Sequence, residues 1–250
     1  MSFADKVVIV TGSSAGIGAA AAVAFCSAGA RVALVGRNQS NLAAVAARCA
    51  PHPHRPLVLN ADVSDDDDAK RIVQTTIQHF GKIDVLVNNA GIVKSGSIVD
   101  GTIMDTFDEL MSINFRAIVK LTTLAAPHLI ATKGNIVNIS GISATTFNLP
   151  VSIPIIGACK AALNYFTKYA ALELAASGVR VNAVTPGPVR TEIIKASEYP
   201  GYWDMFTTRT ALGRVSEPEE VVDLVLFLAS EKAKGITGSN YVIDNGILLK

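Results

Sequence analysis

Charged residues are scarce in this chain, and the two signs nearly cancel. Only 17% of the 250 residues are charged, with 22 Lys and Arg against 21 Asp and Glu, so the formal net charge is +1. A balance this close to neutral provides no positive field that would attract nucleic acid, which disfavours a nucleic-acid partner. Because half of the residues are hydrophobic, much of the chain must be buried.

A long apolar run and an ordered cysteine pattern are also missing. No run reaches the roughly 18 residues that a membrane-spanning helix needs, so we expect no membrane partner and burial within or between subunits. The first apolar run stops at Thr11-Gly12, too early for a signal peptide, which predicts a cytoplasmic protein. Cys26, Cys49 and Cys159 lack the spacing of metal ligands and are typical of reduced, packed thiols.

Neither of the two local clusters of potential metal ligands predicts a metal site. Asp65–Asp68 follow Ser64, a good N-cap residue, and acidic residues favour the first turn of a helix. His52 and His54 lie in a proline-stiffened loop without a carboxylate or thiolate nearby in the sequence. We therefore expect no metal.

Short apolar runs alternate with helical patterns along the whole chain. The runs are continuous, as in a parallel sheet covered on both faces, and they occur at Val7–Val10, Val32–Val35, Leu57–Leu59, Val85–Val87, Ile136–Ile139, Val179–Val184 and Tyr241–Ile243. Helical patterns lie between them, at Gly18–Ala28, Leu42–Cys49, Asp66–His79, Met104–Ile130, Gly157–Ala176 and Glu219–Ser230. This alternation predicts a doubly wound, Rossmann-type α/β fold. We expect about seven mostly parallel strands, helices on both faces, and one dinucleotide-binding domain over residues 1–250.

A glycine-rich turn follows the first strand. It reads Thr11-Gly12-Ser13-Ser14-Ala15-Gly16-Ile17-Gly18, and its three glycines suit a tight turn, close approach to a pyrophosphate, and close helix packing. The helix that follows directs the positive end of its dipole at the phosphates. An ordinary strand-to-helix turn is the alternative for a glycine pattern alone.

Further motifs follow in a characteristic order. Asn88-Asn89-Ala90-Gly91 ends the fourth strand, and Asn114, Asn138-Ile139-Ser140, Lys160 and Pro186-Gly187 come after it. With the glycine turn, these motifs resemble the short-chain dehydrogenase/reductase family over essentially the whole chain. The resemblance implies a cofactor site formed by Gly12, Ser14, Ala15, Gly16, Ile17, Gly18, Arg37, Asp62, Val63, Asn89, Ala90, Gly91, Lys160, Pro186, Gly187, Val189 and Thr191.

The end of the second strand indicates which nicotinamide cofactor is bound. NAD-binding relatives usually place an acidic residue there for the ribose 2′-hydroxyl, whereas this chain has Gly36-Arg37-Asn38. The guanidinium of Arg37 matches a 2′-phosphate in charge and geometry, which predicts NADP(H) over NAD(H). A solvated surface arginine is the alternative.

The catalytic motif departs from the family. The resemblance implies an Asn, Ser, Tyr and Lys set in which the tyrosine exchanges a proton with the substrate oxygen, and the tyrosine belongs four residues before the lysine. Lys160 fills the lysine position, which also holds the cofactor ribose, but Ile156 fills the tyrosine position. Isoleucine has no ionisable proton, so it cannot act as an acid or base. Asn114 is the expected asparagine of the proton relay, with a hydrogen-bonded core asparagine as the alternative.

Two further catalytic assignments stay open. The family's spacing from position 156 selects Ser143 as the serine, while the strand end leaves Ser140 as the second candidate and an ordinary loop serine as the third possibility. Tyr165 and Tyr169 lie too far along the helix to replace the missing tyrosine. Tyr199 and Tyr202 lie in a segment that could fold over a substrate, so they are possible substitutes for the missing tyrosine.

The substrate side is rich in apolar side chains. Residues 190–214 read as a two-helix lid broken at Pro200-Gly201, and they carry Ile193, Ile194, Tyr199, Tyr202, Trp203, Met205 and Phe206. Phe147, Leu149, Val151, Ile153 and Ile155 add apolar surface before Lys160. These residues suit a bulky apolar ligand such as a steroid, isoprenoid or long acyl chain, so the expected partner is an apolar small-molecule carbonyl or alcohol substrate. The alternative is packing within the homodimer or homotetramer that the resemblance implies.

Three functions fit these observations. The first is an NADP(H)-dependent oxidoreductase that transfers hydride between nicotinamide and a carbonyl or alcohol, weakly because of Ile156. The second is a nucleotide- or ligand-binding protein that has lost the chemistry. The third is an enzyme in which Ile156 has replaced an original tyrosine.

Overall fold

In this computed structural model, the structure describes residues 1–147, 149, 153–193 and 201–250. Across those residues the strands are β1 (Val7–Thr11), β2 (Arg31–Gly36), β3 (Leu57–Asn60), β4 (Val85–Asn88), β5 (Asn135–Ile139), β6 (Arg180–Pro186) and β7 (Asn240–Ile243). They form one parallel sheet in the order β3-β2-β1-β4-β5-β6-β7. The predicted doubly wound sheet is confirmed, and each predicted run lies on its strand within a few residues.

Helices follow the strands as the alternation predicts. Their bounds are α1 (Gly16–Ser27), α2 (Gln39–Cys49), α3 (Asp66–Phe80), α4 (Ile103–Met111), α5 (Ala117–Thr132), α6 (Pro154–Ala175), α7 (Tyr202–Arg209) and α8 (Pro218–Ala229). Among the described residues, no helix is long and apolar enough to cross a bilayer.

The helices cover both faces of the sheet, because alternate side chains of each strand point in opposite directions. Val8 and Val10 pack with the buried residues of α1, α2 and α8. Ile9, between them, packs on the other face with α3, α5 and α6. Every side chain of β1 is buried, which explains why its sequence is continuously apolar rather than alternating.

Two details of the helices differ from the sequence prediction. The single helix expected over residues 104–130 is interrupted by a π-helical turn at Ser112–Arg116, because the side chain of Asn114 within it binds the backbone of another segment. The N-cap of α3 is Asp65 rather than Ser64. Its carboxylate accepts hydrogen bonds from the amides of Asp67 and Asp68.

The predicted lid is only partly within the described residues. Ile194, Tyr199 and Pro200 lie outside them, as does Val151 of the preceding apolar segment. Of the rest, Tyr202 and Phe206 on α7 are buried and pack against Ile142 and Val215.

A buried chain of polar side chains joins the ends of β4 and β5 to α6. Asn88 donates a hydrogen bond to Oδ1 of Asn138 at 2.9 Å, and Asn138 donates to the hydroxyl of Thr167 at 2.9 Å. Thr167 in turn donates to the carbonyl of Leu163 in its own helix. All three polar residues are buried and have no access to water, so these bonds supply the hydrogen-bond partners that their polar groups need.

We therefore expect Asn138→Ala to lower the free energy of unfolding by about 2–3 kcal/mol, since it leaves the buried amide of Asn88 and the hydroxyl of Thr167 poorly paired. Urea unfolding followed by circular dichroism measures this change. The matched control is Gln74→Ala, which removes an exposed carboxamide from α3 and should change stability by less than about 0.5 kcal/mol. Equal effects of the two substitutions would contradict this role for the buried chain.

Candidate functional site

The turn between β1 and α1 is held so tightly that glycine is required. Gly12 has a φ of +66°, and a Cβ atom there would lie 2.8 Å from the Cα of Ala90. A Cβ atom on Gly18 would overlap the carbonyl oxygen of Gly12. Helix α1 begins after Ala15 without a side-chain cap, so the amides of its first turn are available to an anion.

Thr11 and Asn89 fasten this turn to the end of β4. The hydroxyl of Thr11 accepts hydrogen bonds from the amides of Asn89 and Ala90 at 2.9 and 3.0 Å, and it donates to the carbonyl of Val87. The side-chain amide of Asn89 donates to the carbonyls of Thr11 and Gly12. Asn89 was expected to line the ribose site, and its amide also holds the glycine turn in place.

One cavity of about 970 Å³ opens where these two strands end. This size is typical of sites for cofactors and small molecules. Every cofactor-site and catalytic residue inferred from the sequence lines it except Gly18, which lies beneath the glycine turn. Residues that the sequence analysis had not selected also line it, among them Gln39, Ser40, Ile92, Val93, Ile113, Pro188 and Glu192.

Arg37 and Asp62 meet at one end of the cavity. Nη1 of Arg37 lies 3.5 Å from Oδ2 of Asp62, and Asp62 also accepts hydrogen bonds from the amide and hydroxyl of Ser64. Burial raises the pKa of the Asp62 carboxyl, but the Ser64 bonds and the Arg37 charge together lower that pKa below its ordinary value. More than half of the Arg37 side chain is exposed, so most of its donors face the cavity and solvent.

Asn38, next to Arg37, fixes the start of α2. Its side chain caps α2 by accepting from the amide of Asn41, and Ser40 donates to the same oxygen. Asn38 and Ser40 both line the cavity. The signal that could have found them was the N-cap residue directly before the predicted second helix.

Asn114 lies in the π-helical turn with its side chain buried. Its Oδ1 accepts from the amide of Ile92 and its Nδ2 donates to the carbonyl of Ile92, both at 3.1 Å. A Cβ atom on Gly91 would approach Oδ1 of Asn114 to 2.7 Å, so the neighbouring glycine makes this pairing possible. The carboxamide therefore positions the cavity wall just beyond β4.

The two candidate serines occupy different environments. Ser140 is buried, its amide donates to the carbonyl of Val184, and its hydroxyl lies 3.4 Å from the carbonyl of Lys160. Ser143 lies in a short 3₁₀ turn on the cavity wall, and its hydroxyl has no hydrogen-bond partner among the described residues. A Cβ atom on Gly157 would lie 2.7 Å from the carbonyl of Ser143, so this turn packs directly on α6.

Lys160 reaches the cavity from α6. Its ammonium donates to the carbonyl of Ile139 at 2.8 Å, and only 9% of the residue is exposed. Gly141 lies between the catalytic candidates, because a Cβ atom there would be 3.7 Å from Oγ of Ser143 and 3.9 Å from Cγ of Lys160. Burial lowers the pKa of Lys160 to about 8, against a small opposing effect of the Cys159 thiol.

Ile156 lies on the cavity wall one helical turn before Lys160 and is buried. Tyr165 and Tyr169, further along α6, are 74% and 57% exposed and do not line the cavity, as expected from their distance along the helix. Tyr202 of α7 does line it. Within the described ranges it is the one tyrosine on the cavity wall.

Apolar side chains cover the cavity beyond Ser143. They come from the segment before α6, from the segment after β6 and from α7, and they are Leu149, Ile153, Ile193, Tyr202, Trp203 and Phe206. The expectation that Phe147 belongs with them was wrong, because its side chain is fully exposed. Ile155 is half-buried and does not line the cavity either, since it points away from Ile156 on the same helix.

Known proteins resemble this chain in sequence and in fold. A family described as enoyl-(acyl carrier protein) reductase matches residues 12–248. Meso-2,3-butanediol dehydrogenase from Serratia marcescens is 35% identical over 98% of this chain and 96% of its own length.

Solved structures agree over almost the full length. A short-chain type dehydrogenase/reductase from Mycobacterium marinum superposes with a TM-score of 0.94 at 31% identity, covering 100% of this chain and 98% of its own. A short-chain dehydrogenase from Burkholderia cenocepacia in complex with NADP gives a TM-score of 0.92 at 31% identity, covering 99% and 100%. The chain belongs to the short-chain dehydrogenase/reductase family of oxidoreductases.

Proposed function

We propose that this protein is an NADP(H)-dependent oxidoreductase that interconverts a small apolar carbonyl compound and its alcohol. One observation carries the proposal: a single cavity joins the glycine turn and Arg37 at one end to Ser143 and Lys160 at the other. A cofactor and a substrate can therefore meet within one cavity.

The described residues fit a nicotinamide dinucleotide. The uncapped start of α1 and the side-chain-free surface of Gly12 suit a pyrophosphate, and the exposed donors of Arg37 suit a 2′-phosphate. At the far end, Pro186, Gly187, Val189 and Thr191 line the cavity and would hold the nicotinamide. When bound, this group supplies or accepts the hydride. The relative from Burkholderia cenocepacia, solved with NADP, supports this choice.

The chain's own groups would orient the substrate. The hydroxyl of Ser143, free of protein partners among the described residues, can bind the substrate oxygen next to Lys160. The apolar wall from Leu149, Ile153 and Phe206 excludes water from the reacting carbon. Asn114 would position a relay water through the wall segment that it holds.

Ile156 favours a second candidate function, a binding protein that keeps the cofactor site without the chemistry. A buried aliphatic side chain stands at the position of the proton donor. The Ser143 hydroxyl, which has no partner among the described residues, favours the enzyme, because a binding protein would use Lys160 for the cofactor ribose but has no need of this hydroxyl.

We further propose a homodimer or homotetramer. Tyr165, Tyr169 and Leu172 are exposed large side chains spaced four and three residues apart on α6, so they form one apolar stripe. A stripe of this kind on a regular helix suits packing against a second copy of the same helix.

Replacing Arg37 with alanine tests the choice of cofactor. We expect Arg37→Ala to weaken NADPH binding about 10- to 100-fold, the loss that a few charge-assisted hydrogen bonds account for, with NADH binding unchanged. Quenching of protein fluorescence or enhancement of NADPH fluorescence measures both affinities. Arg55→Ala, an exposed arginine outside the cavity, is the matched control. Equal losses for both cofactors would refute a role in 2′-phosphate binding.

Restoring a phenol at position 156 tests the activity. We expect Ile156→Tyr to raise NADPH-dependent reduction of apolar ketones and diketones by on the order of 10²-fold or more, because a phenol then occupies the family's proton-donor position. Ile153→Tyr, which adds the same phenol elsewhere on the wall, should give no such gain. If NADPH binds but neither native protein nor Ile156→Tyr consumes it across the ketone panel, the binding-protein function is favoured.

A further inference from the structure

The amine of Lys160 lies on the cavity wall across Gly141 from Ser143. Four charged side chains line the described cavity wall: Arg37, Asp62, Lys160 and Glu192. Arg37 and Asp62 pair with each other at the opposite end. Glu192 lies on the wall between Thr191 and Ile193 and does not contribute to the pKa of Lys160, whose ammonium bonds to the carbonyl of Ile139. Lys160 alone adjoins Ser143, across Gly141.

The ammonium of Lys160 has protons to spare and a fixed position. One of its three protons is donated to the carbonyl of Ile139 at 2.8 Å, which holds the nitrogen at the end of β5. The other two protons have no protein acceptor in the described residues, so they are available to the cofactor ribose and to the substrate oxygen. Ile156, four residues earlier on the same helical face, offers no acceptor that would compete for them.

We propose that Lys160 itself transfers the proton to and from the substrate oxygen, in place of the missing phenol. The inference rests on the proposed oxidoreductase activity and names its proton donor. In carbonyl reduction, the carbonyl carbon accepts the hydride, an N–H bond at Nζ breaks, and an O–H bond forms on the substrate. The neutral amine then regains a proton from water. Alcohol oxidation reverses each step.

The surroundings of Lys160 give its amine a suitable acidity. Burial lowers its pKa to about 8, close to the operating pH that favours a general acid or base. Cys159 is the nearest titratable neighbour, and burial raises the pKa of its thiol, so the thiol stays neutral. On α4, which packs on α6, Asp105, Asp108 and Glu109 are exposed to solvent.

The remaining elements around Lys160 bring no compensating charge either. Arg116 of the π-helical turn is exposed and paired with Asp66. The 3₁₀ turn at Ile142–Ala144 contains no titratable residue. The described part of the site therefore gives Lys160 no carboxylate that would hold its proton.

The pH dependence of turnover tests the inference, and its sign follows from the protonated form that each direction needs. Reduction needs the ammonium, so its kcat should be constant below about pH 8 and fall about tenfold per unit above it. Oxidation needs the neutral amine, so its kcat should rise with pH and level off above about pH 8. Tyr202→Phe should keep both breaks at the same pH.

Lys160→Arg provides the matched variant. A guanidinium keeps the positive charge and the donors but does not release a proton, so NADPH binding should stay within a few-fold of native while turnover falls by about 10²-fold or more. Thermal unfolding of the variant verifies that it is folded. Lysine-selective ¹³C NMR of the cofactor-free protein gives a readout independent of activity. One lysine should titrate near pH 8, and its signal should be absent from Lys160→Arg.

The outcomes separate this inference from the proposed function. Three results would overturn the role of Lys160 and leave the proposed oxidoreductase activity intact. They are ketone reduction by the native protein that does not change from pH 7 to 10, reduction that persists in Lys160→Arg, and reduction that disappears in Tyr202→Phe. A lysine spectrum in which every signal titrates near the ordinary pKa would do the same. Absence of turnover from both native protein and Ile156→Tyr, with NADPH bound, would overturn the proposed function and this inference together.

Discussion

The cavity depends on the contact between the ends of β1 and β4, which the hydroxyl of Thr11 and the amide of Asn89 hold together. These strands are neighbours in the sheet but not in the sequence, and the chain turns away from them in opposite directions. A crevice therefore opens between their carboxyl ends. The bonds press the backbone of Gly12 against Ala90, and that close approach leaves the first amides of α1 exposed to the crevice.

A second set of close backbone contacts builds the reacting end. Gly91 leaves room for the carboxamide of Asn114, and Gly157 lets the turn that carries Ser143 rest on α6. Gly141 then lies between Ser143 and Lys160, where a Cβ atom would be in van der Waals contact with both. The fits at Gly91 and Gly157 depend on a missing Cβ atom, so a side chain at either position would displace Asn114 or the turn that carries Ser143.

Local chemistry decided how much could be predicted from the sequence. The strands were predictable because both faces of the sheet are covered and their runs are continuously apolar, and the glycine turn was predictable from its place between β1 and α1. The π-helical turn was not, because the helical pattern continues through it while its cause is a distant bond from Asn114 to Ile92. The exposure of Phe147 was missed, because periodicity does not define side-chain direction in an irregular segment.

Ile156 replaces the family's tyrosine, while the surrounding contacts of the site are present. The glycine contacts, the free Ser143 hydroxyl and the buried amine do not depend on a phenol, so its loss leaves them in place. Lys160 gains nothing from packing, because burying an amine without a carboxylate disfavours its charged form and so opposes folding at neutral pH. Lys160 lowers the free energy of unfolding most below about pH 8, where the amine is charged in both the folded and the unfolded protein. A group that is unfavourable for stability yet fixed beside Ser143 is better explained by proton transfer than by packing.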